Sequence, residues 1–325
     1  MNSKPHIGHA FEFIIADIIA RHARAKKQVF FNVGIDEHGI KVQQAAEREN
    51  LDPQIYCNKL AEDWKRFCSW FEISYDNFYR TTDDAHKELT VRIFQDFITR
   101  DFCYKDIYKG KYCIGCETFI TEKEVVDNKC PIHQTELQDL NEENYFFKLS
   151  YFRDRIKDIL ANNNLSKELK AQAENFNEIS ITRKNVDWGV KIPGSDDTLY
   201  VWFEALLNYC LALTLAYPNK KEWEEFWSNS LIICGPDNLK FQAYILQAIN
   251  LALDLPQNKE VLVHSVILDD KGKKMSKTVG NVVDPFEQSL IYGVSPVRFY
   301  LGLGLSTTGQ ANYSETDLIN LWNSQ

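Results

Sequence analysis

Two short strings in this chain of 325 residues carry side chains suited to holding a polyphosphate. The first is Pro5-His6-Ile7-Gly8-His9-Ala10, set just ahead of an apolar run with helical spacing. A helix N-terminus offers unpaired backbone N–H groups and a partial positive charge, a glycine lets a nucleotide approach, and two imidazoles can donate to phosphate oxygens. The second, KGKKMSKTVGNVVDP, runs from Lys271 to Pro285 directly after a strand-like run. Lys271, Lys273, Lys274 and Lys277 concentrate ammonium groups on a Gly-containing loop, where they can neutralise charge that develops on a triphosphate. Taken singly, two histidines at a helix start or a lysine-rich loop are ordinary surface features. The embedded Met275-Ser276 and Gly280-Asn281 set the second string apart from a generic basic run.

A third constellation is Cys113-Ile-Gly-Cys116 followed by Cys130-Pro-Ile-His133. Two ligand pairs, each with two intervening residues and joined by a hairpin-length spacer, predict a tetrahedral zinc site made by Cys113, Cys116, Cys130 and His133. Four protein ligands leave no open position, so the site reads as a structural staple. Cys57, Cys68, Cys103, Cys210 and Cys234 sit singly among apolar or aromatic neighbours and read as small buried hydrophobes.

The elements that must position these strings follow from periodicity. Phe13, Ile14, Ala16, Ile18, Ile19 and Ala20 describe a largely buried helix closed by Arg21, Arg24 and Lys26. QVFFNVG reads as a buried strand, followed by helices from about Gly39 to Arg48 and from Tyr56 to Phe71. The alternation resumes with LIICG, a helix from about Asn238 to Leu253 and the strand VLVHSVIL. This predicts an α/β, doubly wound parallel (Rossmann-like) nucleotide-binding domain with a zinc-bearing insertion. Residues 1–99 form its first half, 100–170 the insertion, 171–283 the second half with the lysine loop, and 284–325 the start of a further helical region. A formal charge of -9 excludes nucleic-acid affinity from bulk electrostatics and requires any RNA contact to be local. Residues 10–20 are interrupted by Glu12 and Asp17 and are too short to cross a bilayer, so a cytoplasmic, membrane-free protein with reduced thiols is expected.

Together the histidine and lysine strings resemble the paired HIGH and KMSKS signatures of class I aminoacyl-tRNA synthetases, in that family's order. Further stretches are similar to the methionyl-tRNA synthetases: FNVGIDEHGIKVQQAA, RTTDDAHKE, YKGKYCIGCETFITEKE with CPIH, ISITRKNVDWG, YVWFEALLNY and the run from Val261 to Pro285. The resemblance implies ATP-dependent activation of methionine to methionyl-adenylate and transfer to tRNA, with Mg2+ accompanying ATP and a structural Zn2+. It implies phosphate-binding and catalytic roles for His6, His9, Lys274 and Lys277, and ATP contacts at Gly8, Gly235, Val266, Met275 and Ser276. Asp36 would take the α-ammonium of methionine, and Trp202, Tyr209, Phe241 and Gln242 would line its side-chain pocket, since a thioether suits an adaptable aromatic lining. Glu37 and His38, beside Asp36, read either as part of the site or as a bonded pair that orients the loop.

The chain also departs from the family pattern. Only Met1 to Lys4 precede Pro5, so the family's innermost strand is expected to be missing, leaving backbone groups unpaired at the sheet centre. The family's helical anticodon-binding domain would begin where the chain stops at Gln325, which leaves tRNA selection to a separate tRNA-binding partner. Pro236 stands where the family has a cation, Gln242 where it has His, and Glu204 where it has Asp. These departures sustain the alternative of a degenerate synthetase-like module that binds nucleotide or tRNA without activating an amino acid.

Overall fold

A computed structural model describes residues 4–115, 118–120, 125, 127–131, 134–161, 178–184, 186–275 and 280–325. Helix α1, Ile7–Arg24, buries Ile7, Ala10, Phe11, Ile14 and Ile15 along one face. It begins earlier than the apolar spacing suggested: His6 is its N-cap, and His9 lies inside the first turn rather than ahead of it. Asp17, fully buried in the apolar face, is offset by Arg21 at 2.8 Å, Arg298 at 2.6 Å and the Ser74 amide at 2.7 Å. Strand β1 is Asn32–Ile35, shorter than the run QVFFNVG, because the preceding chain is held by a side chain: Phe31 N–H donates to Asp76 Oδ2 at 2.7 Å. Helices α2, Ile40–Arg48, and α3, Pro53–Trp70, follow; Asp52 caps α3 by accepting from Gln54 N at 2.8 Å, with Pro53 in the first turn. Strand β2, Asn77–Arg80, pairs parallel with β1 in the register Asn32 to Asn77, and α4 spans Asp84–Thr99.

The insertion is an antiparallel sheet. Its strands are β3, Cys103–Cys113; β4, Thr118–Ile120; β5, Gln138–Phe147; and β6, Ile179–Ser180, in the order β4-β3-β5-β6, with α5, Arg153–Ala161, after β5. A small antiparallel pair, β7, Thr182–Arg183, and β8, Thr198–Leu199, leads back to the second half. There α6, Val201–Glu204, α7, Asn208–Ala216, and α8, Lys220–Ser228, precede β9, Leu231–Cys234. The helix expected from Asn238 opens instead as a one-turn Pro236–Asn238 segment and a π-type turn at Phe241–Ile245 before α9, Leu246–Ala252.

The run VLVHSVIL is two strands. β10, Glu260–Val263, pairs parallel with β9, and β11, Val266–Leu268, pairs parallel with β12, Gln310–Asn312. The break has a local cause: His264 N–H makes the last rung to Cys234 O at 3.0 Å, and the Ser265 hydroxyl turns away to Ser306 O at 2.7 Å. Helices α10, Pro285–Tyr292, α11, Val294–Phe299, and α12, Glu315–Asn323, complete the described chain.

Parallel pairs and their helices match the expected α/β arrangement, but the ladder is interrupted. Among the described residues β1 and β9 are not joined. Both line a cavity of about 820 Å³ that is also walled by α1, α7 and α8. One core cluster gathers Phe97, Phe147, Phe203 and Tyr244, and a second gathers Phe11, Trp64, Phe67 and Leu301. The five lone cysteines are buried as expected, and desolvation pushes each of their thiols up to about 12, far from the reactive range.

Candidate active site

The histidine string is built as a cap. His6 Nδ1 accepts from Gly8 N at 3.1 Å, His9 Nδ1 accepts from His6 N at 3.2 Å, and the two rings stack with centroids 3.7 Å apart. With both Nδ1 atoms accepting, the neutral rings carry their protons on Nε2. Gly8 is demanded by this cap itself: a Cβ there would come within 3.0 Å of His6 Cε1. The glycine therefore first makes room for the imidazole. Ile7 N–H donates to Val283 O at 3.1 Å, which ties the string to the chain just beyond the lysine loop.

Asp269, unmarked by any sequence signal, organises that loop. Its Oδ1 accepts from the Lys271 and Lys273 amides at 3.0 and 2.7 Å, and its Oδ2 accepts from Asn281 Nδ2 at 2.8 Å. These bonds, that from Asn281 foremost, hold its carboxyl below the usual carboxylate range. Lys274 Nζ lies 3.7 Å from Asp237 Oδ2, beside Gly235 and Pro236, with both side chains exposed. Met275 packs onto the core around α1 and α3 rather than pointing outward. Ser276 and Lys277 fall outside the described residues.

Asp36 follows β1 and lines the cavity with Glu12, Asn208 and Tyr209. Burial is the main cause that raises its pKa from 3.8 to about 6, and the Glu204 carboxylate adds to it. Trp202 and Phe241 stack at 4.4 Å and 11°. Gln242 Nε2 donates to Tyr209 Oη at 2.8 Å, so the π-type turn delivers two of the expected pocket residues side by side. Among the described residues, Trp202 Nε1, Gln242 Oε1 and Asn208 Oδ1 are buried polar atoms without a hydrogen-bond partner. Lys240, missed in the sequence, places Nζ 4.8 Å from the Phe241 ring centre.

The nucleotide side is less gathered. His264, next to Gly235, points Nε2 at Glu12 Oε2 at 3.0 Å; burial alone would lower its pKa, but the Glu12 carboxylate wins and the net shift is upward. Val266 sits in β11, its N–H donating to Gly309 O at 3.1 Å, and is not among the residues lining the cavity. Behind Asp36, Glu37 accepts a bidentate Arg80 at 2.9 Å and the Thr82 hydroxyl. Glu204, fully buried, sits between His38 Nδ1 at 3.0 Å and His86 Nε2 at 2.6 Å, bonds that keep it ionised against desolvation. His86 carried no signal in the sequence beyond its place in RTTDDAHKE.

In the segment expected to bind zinc, Cys113 and Cys130 are both fully buried in one small cluster with Leu137, and the described residues alone bring together no group of three ligating side chains. A tight turn surrounds Cys130: its N–H donates to Thr135 O at 2.9 Å, and Gln134 N–H donates to Cys130 O at 2.8 Å. Cys116 and His133 lie outside the described residues.

The described residues thus hold a cap of stacked imidazoles, a cation-bearing string joined to it through Val283, and an aromatic stack linked through Gln242 to Tyr209 at the wall of the cavity that Asp36 lines. The model of the class I tRNA synthetases (M) matches residues 1–141 and 138–325, and the chain belongs to that family. It is 38% identical over 338 residues to the methionine–tRNA ligase of Campylobacter jejuni, matching 100% of this chain and 53% of that protein. It is 36% identical over 340 residues to the methionine–tRNA ligase of Thermotoga maritima, again with 100% and 53% covered. Among solved structures, Mycobacterium tuberculosis methionyl-tRNA synthetase in complex with methionyl-adenylate superposes with a TM-score of 0.92 at 30% identity, covering 99% of this chain and 66% of that one. The chain thus spans about half the length of the curated relatives it matches. No helix among the described residues is long and apolar enough to cross a membrane.

Proposed function

We propose that this chain carries the activation site of a methionine–tRNA ligase: methionine and ATP react to methionyl-adenylate and pyrophosphate, and the methionyl group passes to the terminal ribose of tRNA. The observation that carries the reading is that Asp36 and Tyr209 share a cavity wall with Glu12 of the histidine-capped helix, with the Trp202–Phe241 stack joined on through Gln242. Asp36 binds the α-ammonium; Trp202, Tyr209, Phe241 and Gln242 take the thioether side chain. His6 and His9 donate from Nε2 to phosphate oxygens, Gly8, Gly235, Val266, Met275 and Ser276 border the nucleotide, and Lys274 and Lys277 bring charge to the pyrophosphate as it leaves. The methionine carboxylate attacks the α-phosphorus, and the bond to pyrophosphate breaks. This is positioning and charge stabilisation with no side-chain nucleophile. Mg2+ would accompany ATP and would supply charge neutralisation at its phosphates.

Residues 1–99 and 171–283 form the two catalytic halves in this reading, 100–170 the insertion, and 284–325 the start of a region facing the tRNA stem. Cys113, Cys116, Cys130 and His133 would hold the zinc. The donor set fits: two described thiols are fully buried in one cluster, with a tight turn at Cys130. Zinc staples the insertion there and takes no part in the reaction. The protein works in the cytoplasm, where methionine, ATP and tRNA are available, and a tRNA-binding partner can supply anticodon recognition.

The test is methionine-dependent ATP–pyrophosphate exchange on the purified chain, with leucine and isoleucine as controls and Lys274→Ala alongside. Exchange with methionine alone, lost in the variant, supports the reading. A folded, zinc-loaded chain with no exchange overturns it.

A further inference from the structure

The loop after β1 places three polar residues in a row, and two of them face away from the cavity. Glu37 is bound to the end of β2: Arg80 grips its carboxylate, Thr81 Oγ1 accepts its N–H at 3.0 Å, and its carbonyl accepts Trp188 Nε1 at 2.5 Å. His38 runs the other way, to Glu204 in α6, two residues beyond Trp202. Asp36, between β1 and these two anchors, is the member that lines the cavity. The His38–Glu204 bond therefore links the segment carrying the ammonium-binding carboxylate to the segment carrying the stacked aromatic.

Glu204 is itself braced. His86 donates to it from Nε2, leaving Nδ1 to accept the Tyr79 hydroxyl at 3.0 Å; β2 and α4 thus stand behind the carboxylate. Glu204 and His86 are each 0% exposed. Burying a carboxylate without an arginine or lysine is costly, and the two imidazoles that offset the cost are themselves buried. Such a group is tolerated where it fixes geometry.

We propose that Glu204 is a positioning residue of the ammonium subsite: braced by His86, it fixes His38 and, through the loop, ties the segment carrying the Asp36 carboxylate to the segment carrying Trp202. The inference rests on the methionine-site reading above and adds to it the device that holds the two halves of that site in register.

Two probes separate the ends of the substrate. L-methioninol keeps the ammonium and thioether without the carboxylate; 4-(methylthio)butanoate keeps the carboxylate and thioether without the ammonium. Their binding is followed by calorimetry on wild type, Glu204→Gln, His38→Ala and His38→Asn. His38→Ala leaves the Glu204 charge in place and so separates positioning from electrostatics, while an Asn amide can donate from the place of Nδ1. Glu204→Gln and His38→Ala weaken methioninol about tenfold, the equivalent of one charge-assisted hydrogen bond, and leave 4-(methylthio)butanoate unchanged. His38→Asn restores methioninol binding to within about threefold. Should Glu204→Gln not fold, the two His38 variants decide alone. Both probes weakened alike, neither weakened, or His38→Asn as poor as His38→Ala overturns the proposal. A wild-type chain that binds methioninol without exchange activity refutes the proposed reaction only, and this inference is still read from binding; a wild type that binds neither probe overturns the inference too.

Discussion

The raised pKa of Asp36 makes the affinity for an ammonium ligand depend steeply on pH in a range where ordinary carboxylates are silent. Burial first, with the Glu204 carboxylate adding, lifts it from 3.8 to about 6. Only the ionised form pairs with an ammonium, so the apparent dissociation constant scales as one plus the ratio of protonated to ionised Asp36. That factor is about 1.1 at pH 7, about 2 at pH 6 and about 11 at pH 5, whereas a carboxylate left near 3.8 would give about 1.1 even at pH 5. Binding is therefore complete above the raised pKa and is lost as pH falls through it. L-methioninol, whose amine stays charged throughout, is titrated by tryptophan fluorescence from pH 5 to pH 8, with unfolding checked at each pH. The N-terminal charge opposes the rise, as do His86 and His38, and Glu12 and Tyr209 share the cavity with Asp36. A dissociation constant constant to within twofold down to pH 5 refutes the argument; so does a loss that begins above pH 7, too high for this carboxylate.

The same shift is a stability cost. A carboxyl whose folded-state pKa lies above its unfolded value holds its proton more tightly when folded, so stability falls as pH rises through the window from about 4 to about 6. Asp36→Asn removes that cost: urea denaturation should show a gain of up to about 3 kcal/mol at pH 7.5, vanishing near pH 3.5, together with loss of methioninol binding. Gly34→Ala would push a Cβ to 2.7 Å from Asn208 Oδ1 and is expected to cost about 1–3 kcal/mol, most of it recovered in the double variant with Asn208→Ala. One zinc per chain is expected by elemental analysis, and chelation should open the segment around Lys129 to trypsin while the main thermal transition stays in place. Protein free of zinc, or unchanged digestion, would argue against the staple.

Legibility divided along a physical line. α1 and α3 were visible because a 3.6-residue apolar period writes the buried face into local sequence, and the lone cysteines because small apolar-flanked thiols have few other uses. The candidate pocket residues came from the family resemblance rather than from periodicity. The bonds that arrange them were not legible. Asp269 organises the lysine loop partly through Asn281, 12 residues away; Glu204 meets His86 across 118; His264 meets Glu12 across 252. The last two pairs share no local window, and nothing in the periodicity ties Asp269 to Asn281, so the residues could be read from the sequence but their pairing could not.

The split of VLVHSVIL shows what the chain does reveal once such a pair is known. Within an apolar run, a histidine and a serine cannot both continue a buried ladder, since each brings a polar group that must find a partner. His264 finds Glu12 on the histidine-capped helix, and Ser265 finds Ser306 near the end of the chain. Satisfying both turns the backbone between β10 and β11, so that the first strand pairs with β9 and the second with β12. The polar pair inside the run read as one strand is thus the point at which the chain leaves one parallel pair for another. It is also where His264, beside Gly235, and Glu12, at the cavity wall, are brought together. The same two polar residues that break the strand thus mark a change of strand partner beside Gly235, the kind of place at which parallel α/β sheets bind ligands.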